Sequence, residues 1–336
     1  MDQPNGAEKK ILVTGGLGFL GSHLCERLLE QGHQLTLVDS CLSNVVEPGF
    51  FRSCCQVFVE KVQNFVPSEH FDAIYHCASI VGPAFVLPYG GALGLDILLG
   101  TKKVIDLSLA MKSKLLFLST SEVYGNDGIF HEDAAKTVTS NISVRLEYSV
   151  GKLLGEIMVL NCVRSSSLIA NVVRPFNIVG PRQSSKGGFV VPRFVEAALN
   201  GEDITVFGEG QQVRAFTHVL DMVDALILVM ESDCRGEIFN VGNPLNVMEI
   251  NQLAQLTKTL THSQSRIIHV DPKTIYGPLY EMTCDKIPDS SKIQRMLGWR
   301  PQYNIEQTLS ETIDYPRAEL SQRLSDAIPT PTKMNT

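Results

Sequence analysis

The chain has 336 residues, 44% apolar and 19% charged, with 26 Gly and 16 Pro and a net charge of −7. That length asks for two domains or one large α/β unit, and the composition excludes collagen-like, disordered and coiled-coil classes. No basic block could follow a phosphate backbone, so nucleic acid is excluded as a partner and an anionic ligand needs a local positive pocket.

Met1 to Lys10 is polar and lacks the apolar core of a signal peptide. From there to Val173, short β-branched runs alternate with helical patterns. Strands are predicted at Ile11–Thr14, Leu35–Asp39, Val57–Glu60, Ala73–His76, Leu115–Ser119 and Ile169–Val173. Runs that are apolar throughout suit strands buried on both faces of a parallel sheet. Helices are predicted at Leu20–Gln31, Ile97–Met111 and Tyr148–Arg164, which makes right-handed βαβ crossovers and a doubly wound α/β sheet of Rossmann type. After Arg174 glycine and proline crowd the chain, a strand at Ile204–Phe207 precedes the turn Gly208–Gln212, and helices follow near Val219–Glu231 and Val247–Leu260. The expected organisation is an NAD-binding domain over 1–176 with a return at about 214–242, including a strand at Glu237–Val241. A smaller mixed α/β substrate domain takes 177–213 and 243–316, and 317–336 forms a fraying tail.

No stretch approaches the roughly 18 apolar residues of a membrane span, so no membrane partner and a cytoplasmic location are expected. The cysteines, at 25, 41, 54, 55, 77, 162, 234 and 284, show no Cys-x-x-Cys spacing. They read as reduced thiols without a metal site.

Ile11 to Gly21 reads I-L-V-T-G-G-L-G-F-L-G, a buried strand running into Gly15, Gly18 and Gly21 with Phe19 and Leu20 opening a helix. The first glycine permits a tight turn, the second a close approach to a pyrophosphate, and the third the packing of helix on strand. The helix N-terminus supplies N–H donors to the phosphates. Asp39, eighteen residues after Gly21 at the end of the second strand, suits the adenosine ribose hydroxyls and repels a 2′-phosphate. NAD is therefore expected over NADP.

Tyr148 and Lys152 stand four apart on one helix face, and Ser119, Thr120, Ser121 and Glu122 follow a strand at the carboxyl edge of the sheet. An ammonium beside a phenol lowers its pKa, which makes Tyr148 a base toward a sugar hydroxyl that Thr120 would also hold. His76 and His218 lack metal-ligand spacing and read as core or supporting residues, and Trp299 as packing. Phe207, Val206 and Phe189 are candidates to line a nucleotide base.

These segments together resemble the extended short-chain dehydrogenase/reductase family acting on nucleotide sugars. The resemblance is carried by T-G-G-L-G-F-L-G, S-T-S-E-V-Y-G (Ser119–Gly125), Y-S-V-G-K, R-P-F-N-I-V-G-P-R (Arg174–Arg182), G-E-G-Q-Q-V-R-A-F-T-H-V-L-D (Gly208–Asp221), F-N-V-G-N-P, I-P-D and L-G-W-R-P, from about Ile11 to Pro301. It implies a catalytic set of Thr120, Glu122, Tyr148 and Lys152. It implies NAD contacts that include Ala78, Ser119 and Pro175, and substrate contacts at Ser121, Asn177, Arg182, Phe207, Arg214 and Lys286. A nucleotide sugar, UDP-linked, is the implied substrate, and a homodimer through the helices Ile97–Met111 and Tyr148–Arg164 the implied assembly.

Within the family, Ser121-Glu122, together with Lys273–Tyr280 and the I-P-D that follows, resembles the UDP-glucuronate decarboxylases, lyases of carbohydrate biosynthesis. Oxidation at C4 then precedes loss of the C5 carboxylate. A 4,6-dehydratase, a 4-epimerase and a catalytically quiet NAD-binding sensor are the alternatives. Two departures stand out: Lys286 replaces the decarboxylases' Arg and loses its bidentate fork, and Glu60–Asn64 lacks the family's frequent Asp near the adenine.

Overall fold

In this computed structural model, residues 7–125, 128–138, 142–277 and 285–327 are described, without the side chains of 276 and 317–327. Cys284 and residues 278–280, used in the sequence reading, lie outside them. The apolar runs form a seven-stranded sheet in the order β12-β7-β5-β4-β1-β2-β3. Its strands are β1 (Lys10–Thr14), β2 (Gln34–Asp39), β3 (Gln56–Val59), β4 (Ala73–His76), β5 (Lys114–Leu118), β7 (Ala170–Pro175) and β12 (Ile238–Val241), all parallel. Parallel neighbours need crossovers, and the helices that supply them bury both faces. One face carries α1 (Phe19–Glu30) and α6 (Val219–Glu231), packing Leu24, Leu28, Val223 and Leu226. The other carries α3 (Leu93–Met111) and α4 (Val144–Ser165), packing Val104, Ile105, Val159 and Val163, each such burial stabilising by about 1.5–3 kcal/mol.

The remaining elements form smaller layers. β6 (Gly128–Phe130), β10 (Val213–Ala215), β13 (Val247–Glu249) and β15 (Lys286–Pro288) make a mixed four-stranded sheet in the order β13-β10-β15-β6. β8 (Ile178–Val179) pairs with β11 (Thr217–His218), and β9 (Ile204–Phe207) with β14 (Ile267–Val270). Around β9, α5 (Val190–Asn200), α7 (Ile250–Thr261) and α10 (Ile305–Ala327) close a separate core on Phe194, Leu253 and Leu309. Two one-turn helices, α2 (Pro83–Val86) and α8 (Lys273–Tyr276), and α9 (Ser291–Leu297) complete the chain.

Several boundaries differ from the sequence reading for local reasons. α4 starts four residues before Tyr148 because the Ser143 hydroxyl accepts the Leu146 N–H at 3.2 Å and caps the helix there. The helix expected from Val247 begins instead at Ile250, where Glu249 and Gln252 form a capping box and the preceding residues pair with β10. Residues 317–327 of the expected tail belong to α10, which continues past Pro316 to Ala327, and 328–336 lie outside the described residues. Among the described residues no single helix is long and apolar enough to cross a membrane.

Candidate active site

At the point where strand order reverses between β1 and β4, a cavity of about 830 Å³ opens between the large sheet and the smaller layers. All eleven residues expected to hold the dinucleotide line it. Gly15 has φ +74°, and a Cβ there would sit 2.7 Å from the Ala78 nitrogen; at Gly21 it would sit 2.0 Å from the Gly15 carbonyl. Backbone is packed on backbone, and only glycine fits. Gly18 is the N-cap of α1 and brings no side chain to its open N–H groups. Asp39 is 8% exposed, accepts the Leu17 and Cys41 N–H groups at 3.0 and 2.8 Å, and is raised in pKa by burial against the pull of those two bonds. The Ser79 hydroxyl, in the cavity wall, is buried with no hydrogen-bond partner among the described residues. This cradle, with a carboxylate at the strand end and an orphan hydroxyl, fits a dinucleotide.

Thr120, Glu122, Tyr148 and Lys152 also meet in the cavity. Burial pushes the Tyr148 phenol above its ordinary range; the Thr120 hydroxyl draws it back in part, and the charge of Glu122 adds to the rise. This is the reverse of the lowering expected from a Tyr–Lys pair. Lys152 directs its ammonium to the Leu118 carbonyl at 2.9 Å, and burial lowers it to about 8. Burial also acts on Glu122, but Lys286 and Arg145 more than offset it and hold the carboxyl at about 2. Arg145 places Nε and Nη2 at 2.7 and 2.6 Å from Oε2, and Lys286 places Nζ at 2.8 Å from Oε1. Glu122 is thus an anion clamped between two cations at neutral pH, which removes it as a general acid.

Ser121, Asn177, Phe207 and Arg214 line the cavity as expected contacts would, and Phe189 does too. Three expectations need correction. Val206 is fully buried in the core around β9. Arg182 is turned to α1, bound to Ser22 at 3.1 Å and paired with Glu26. Lys286 is 2% exposed and stands behind Glu122 rather than on the cavity wall; on β15 it pairs in register with Arg214 of β10. Burial lowers it to about 8, Glu122 pulling it up and Arg145 and Arg214 down.

Arg145 and Arg193 line the cavity and escaped the sequence reading. Arg145 lies three residues before Tyr148, close to one helical turn, and that spacing was the available signal. Arg193 stacks 4.1 Å over the Phe207 ring, a pairing between α5 and β9 that no local spacing reveals. Beside Glu60–Asn64 the cavity is lined by Asp96 of α3, which accepts Lys61 Nζ at 2.8 Å and Gln63 Nε2 at 2.9 Å. His76 is buried against Thr14 at 2.8 Å and lowered to about 3 by burial and by Lys152. His218 stacks 3.8 Å from Tyr303, and Trp299 donates to the Asp221 carbonyl at 3.0 Å. Among the described residues no His, Cys, Asp and Glu cluster could hold a metal.

A glycine cradle on a doubly wound sheet, facing a Tyr–Lys pair, defines a dinucleotide-dependent enzyme of the dehydrogenase type. The chain belongs to the NAD dependent epimerase/dehydratase family, whose model matches residues 11–242, and NAD is its cofactor. It is 34% identical over 92% of its length to the UDP-N-acetyl-alpha-D-glucosaminuronate decarboxylase of Bacillus cytotoxicus, covering 98% of that protein. It is 33% identical over 96% of its length to UDP-glucuronic acid decarboxylase 1 of Xenopus tropicalis, covering 76% of it. Among solved structures, the UDP-glucose 4-epimerase of Thermotoga maritima with UDP-glucose superposes with a TM-score of 0.81 at 26% identity, over 93% of this chain and 99% of that one.

Proposed function

We propose that the protein decarboxylates UDP-glucuronate after oxidation at C4, releasing carbon dioxide and a UDP-4-keto-pentose or UDP-pentose. The observation that carries this is the Arg145–Glu122–Lys286 clamp beside the Thr120–Tyr148 pair. A uronate brings a carboxylate to that end of the cavity, where Arg145, its Nε and Nη2 held on Glu122, lies on the wall and contributes positive charge. NAD, when bound, accepts the hydride from C4. Tyr148 can take the C4 hydroxyl proton only as the phenolate, the form that the Lys152 ammonium and the positive charge of NAD, when bound, would favour against burial, and Thr120 holds the same oxygen. The new carbonyl stands β to the carboxylate, so the C5–C6 bond breaks with its electron pair moving to C5 and the C4 oxygen, and Thr120 and Tyr148 stabilise that oxygen. C5 is then protonated. Glu122 is ionised and does not donate; Lys286, held at about 8 behind it, is the proton source, acting through a water that Glu122 positions.

The ionised Glu122 also suits removal of a C5 proton in a 4,6-dehydratase, the second reading. Against it, Ser121 stands beside Glu122 where an acid would be needed to expel water. Arg214, Asn177 and the Arg193–Phe207 stack are the proposed holders of the nucleotide diphosphate and base. Exposed Leu95, Leu99, Val150, Leu154 and Ile157 on the packed pair α3 and α4 support a homodimer formed through that face.

Mass spectrometry of products from UDP-glucuronate, UDP-glucose and UDP-N-acetylglucosamine tests the reading. Loss of carbon dioxide from the first is expected. Loss of water from the second selects dehydration, unchanged mass with altered retention selects epimerisation, and NAD binding without turnover selects the sensor.

A further inference from the structure

The inner stripe of α4 extends beyond the Tyr–Lys pair. Tyr148, Lys152 and Glu156 stand four residues apart, one above another on the helix face. Each meets the same short stretch at the end of β5. The Tyr148 phenol interacts with the Thr120 hydroxyl, Lys152 Nζ donates to the Leu118 carbonyl at 2.9 Å, and the Ser119 hydroxyl donates to Glu156 Oε1 at 2.5 Å. Close approach is built in, since a Cβ on Gly155 would lie 2.8 Å from the Phe117 ring.

Glu156 is itself fixed from behind. It and Arg174 are each 1% exposed and joined by a fork, Nε to Oε1 at 2.9 Å and Nη2 to Oε2 at 2.6 Å. Arg174 Nη1 reaches the Tyr124 hydroxyl at 2.8 Å and the Glu132 carbonyl at 3.0 Å, and the Tyr124 hydroxyl donates to Asn240 Oδ1 at 2.7 Å. The network ties α4, β5, β7 and β12 at the floor of the cavity. A fully buried ion pair contributes little net stability over an apolar replacement of the same shape. Here the pair instead holds Glu156 in place to accept the Ser119 hydroxyl at the strand end that precedes Thr120.

We propose that Glu156 is a positioning residue for the C4 oxidation: through Ser119 it fixes Thr120 against Tyr148, and its negative charge, backed by Arg174, supports the protonated Lys152. The groups around Lys152 are Tyr148 and Glu156 on its own helix and His76 and Cys77 at the end of β4. Of these, Cys77 and Glu156 hold its pKa up against burial.

The inference rests on C4 oxidation alone and is separable from decarboxylation, because the readout is reduction of bound NAD by whichever nucleotide sugar the wild type oxidises. In the full-length protein, Glu156→Gln is expected to lower kcat by about tenfold or more with KM unchanged. It should also move the alkaline loss of activity to lower pH. Glu156→Asp keeps the charge but shortens the reach, so kcat should fall while the alkaline limb stays at its wild-type position. Should Glu156→Gln fail to fold, Ser119→Ala severs the hydroxyl arm and leaves the ion pair whole; a severalfold fall in kcat with an unmoved limb is expected. A folded Glu156→Gln with kcat and alkaline limb within twofold of wild type overturns the proposal. So does a folded Ser119→Ala with wild-type kcat, or an equal loss of kcat, KM and NAD affinity that marks general loosening.

Discussion

The two sides of the cavity are built from different materials. On the dinucleotide side the chemistry belongs to the backbone: glycines at 15, 18 and 21, open N–H groups at the start of α1, and a carboxylate braced by two more N–H groups. On the sugar side it belongs to side chains whose charges set one another, Glu122 at about 2 and Lys286 at about 8. Backbone sites tolerate no added atom, whereas charge clusters tolerate substitution and change their pH behaviour instead. The first side therefore defines the cofactor class, and the second decides what becomes of the oxidised sugar.

The largest expected effect crosses the boundary between the sides. Tyr148→Phe removes the group that accepts the C4 proton while keeping the ring, so kcat should fall by about 10²–10⁴ with NAD affinity retained. Titration of NAD alongside single-turnover reduction checks both halves of that statement; loss of NAD affinity would make Tyr148 part of the cradle rather than of the chemistry. Next comes Gly21→Ala, whose methyl would fall 2.0 Å from the Gly15 carbonyl and force the turn to open. Forcing an extra methyl into a packed site costs about 1–3 kcal/mol, roughly tenfold to a hundredfold in affinity. Direct measurement of NAD binding should show a loss of that order, and normal affinity would mean that α1 can shift without disturbing the site.

That asymmetry also governed what the sequence disclosed. The sheet was legible because strands buried on both faces are apolar throughout, and the cradle because its glycines fall within eleven residues of chain, Gly21 against Gly15 itself, although Gly15 packs on the distant Ala78. The strand returning near Glu237 was legible for the same reason, and β12 pairs with β7. Charge pairing across elements was not. Lys286 was expected from its motif to contact the substrate, yet nothing local says that its ammonium points at Glu122 rather than at the cavity. Arg182 stands in a matching loop and is captured by Glu26 of α1, more than a hundred residues upstream. Spacing finds partners on one helix face; it does not find those brought together by topology.

The charge cluster predicts an alkaline limb in the pH profile. Glu122 stays ionised down to about 2, and His76, at about 3, stays neutral, so neither limits kcat on the acid side through pH 5. Lys152 and Lys286 both lose protons near 8, so kcat should fall above that pH, approaching tenfold per unit if either ammonium is required. Stability should move oppositely on the two flanks. Glu122 is depressed from 4.5, so its contribution is present above that value and lost as pH falls toward 2. The lysines are depressed from 10.5, so their burial penalty is full below 8 and relieved as pH rises toward 10.5. Thermal unfolding followed beside activity between pH 5 and 10 tests this: activity falling on the alkaline side together with stability would show that unfolding, not deprotonation, limits the rate.

The smallest effect returns to the backbone side and asks how much of it is charge after all. Asp39 is the strand-end carboxylate expected to hold the adenosine ribose, and its two backbone bonds hold it in place whether or not a ribose is present. Asp39→Asn keeps the shape but only one acceptor, so it gives up the charge together with one of the two bonds from the Leu17 and Cys41 N–H groups. A hydrogen bond to a charged group contributes about 1.5–3 kcal/mol against about 1 for a neutral one, so NAD affinity should fall by about tenfold. The repulsion of a 2′-phosphate disappears in the same substitution, so NADP affinity should hold or rise and the preference for NAD should narrow from both directions. Dissociation constants for the two cofactors on wild type and variant decide the matter. A preference that survives the substitution would mean that the shape of the β2–Cys41 turn, rather than the carboxylate, excludes the phosphate, and the dinucleotide side would then be a backbone site throughout.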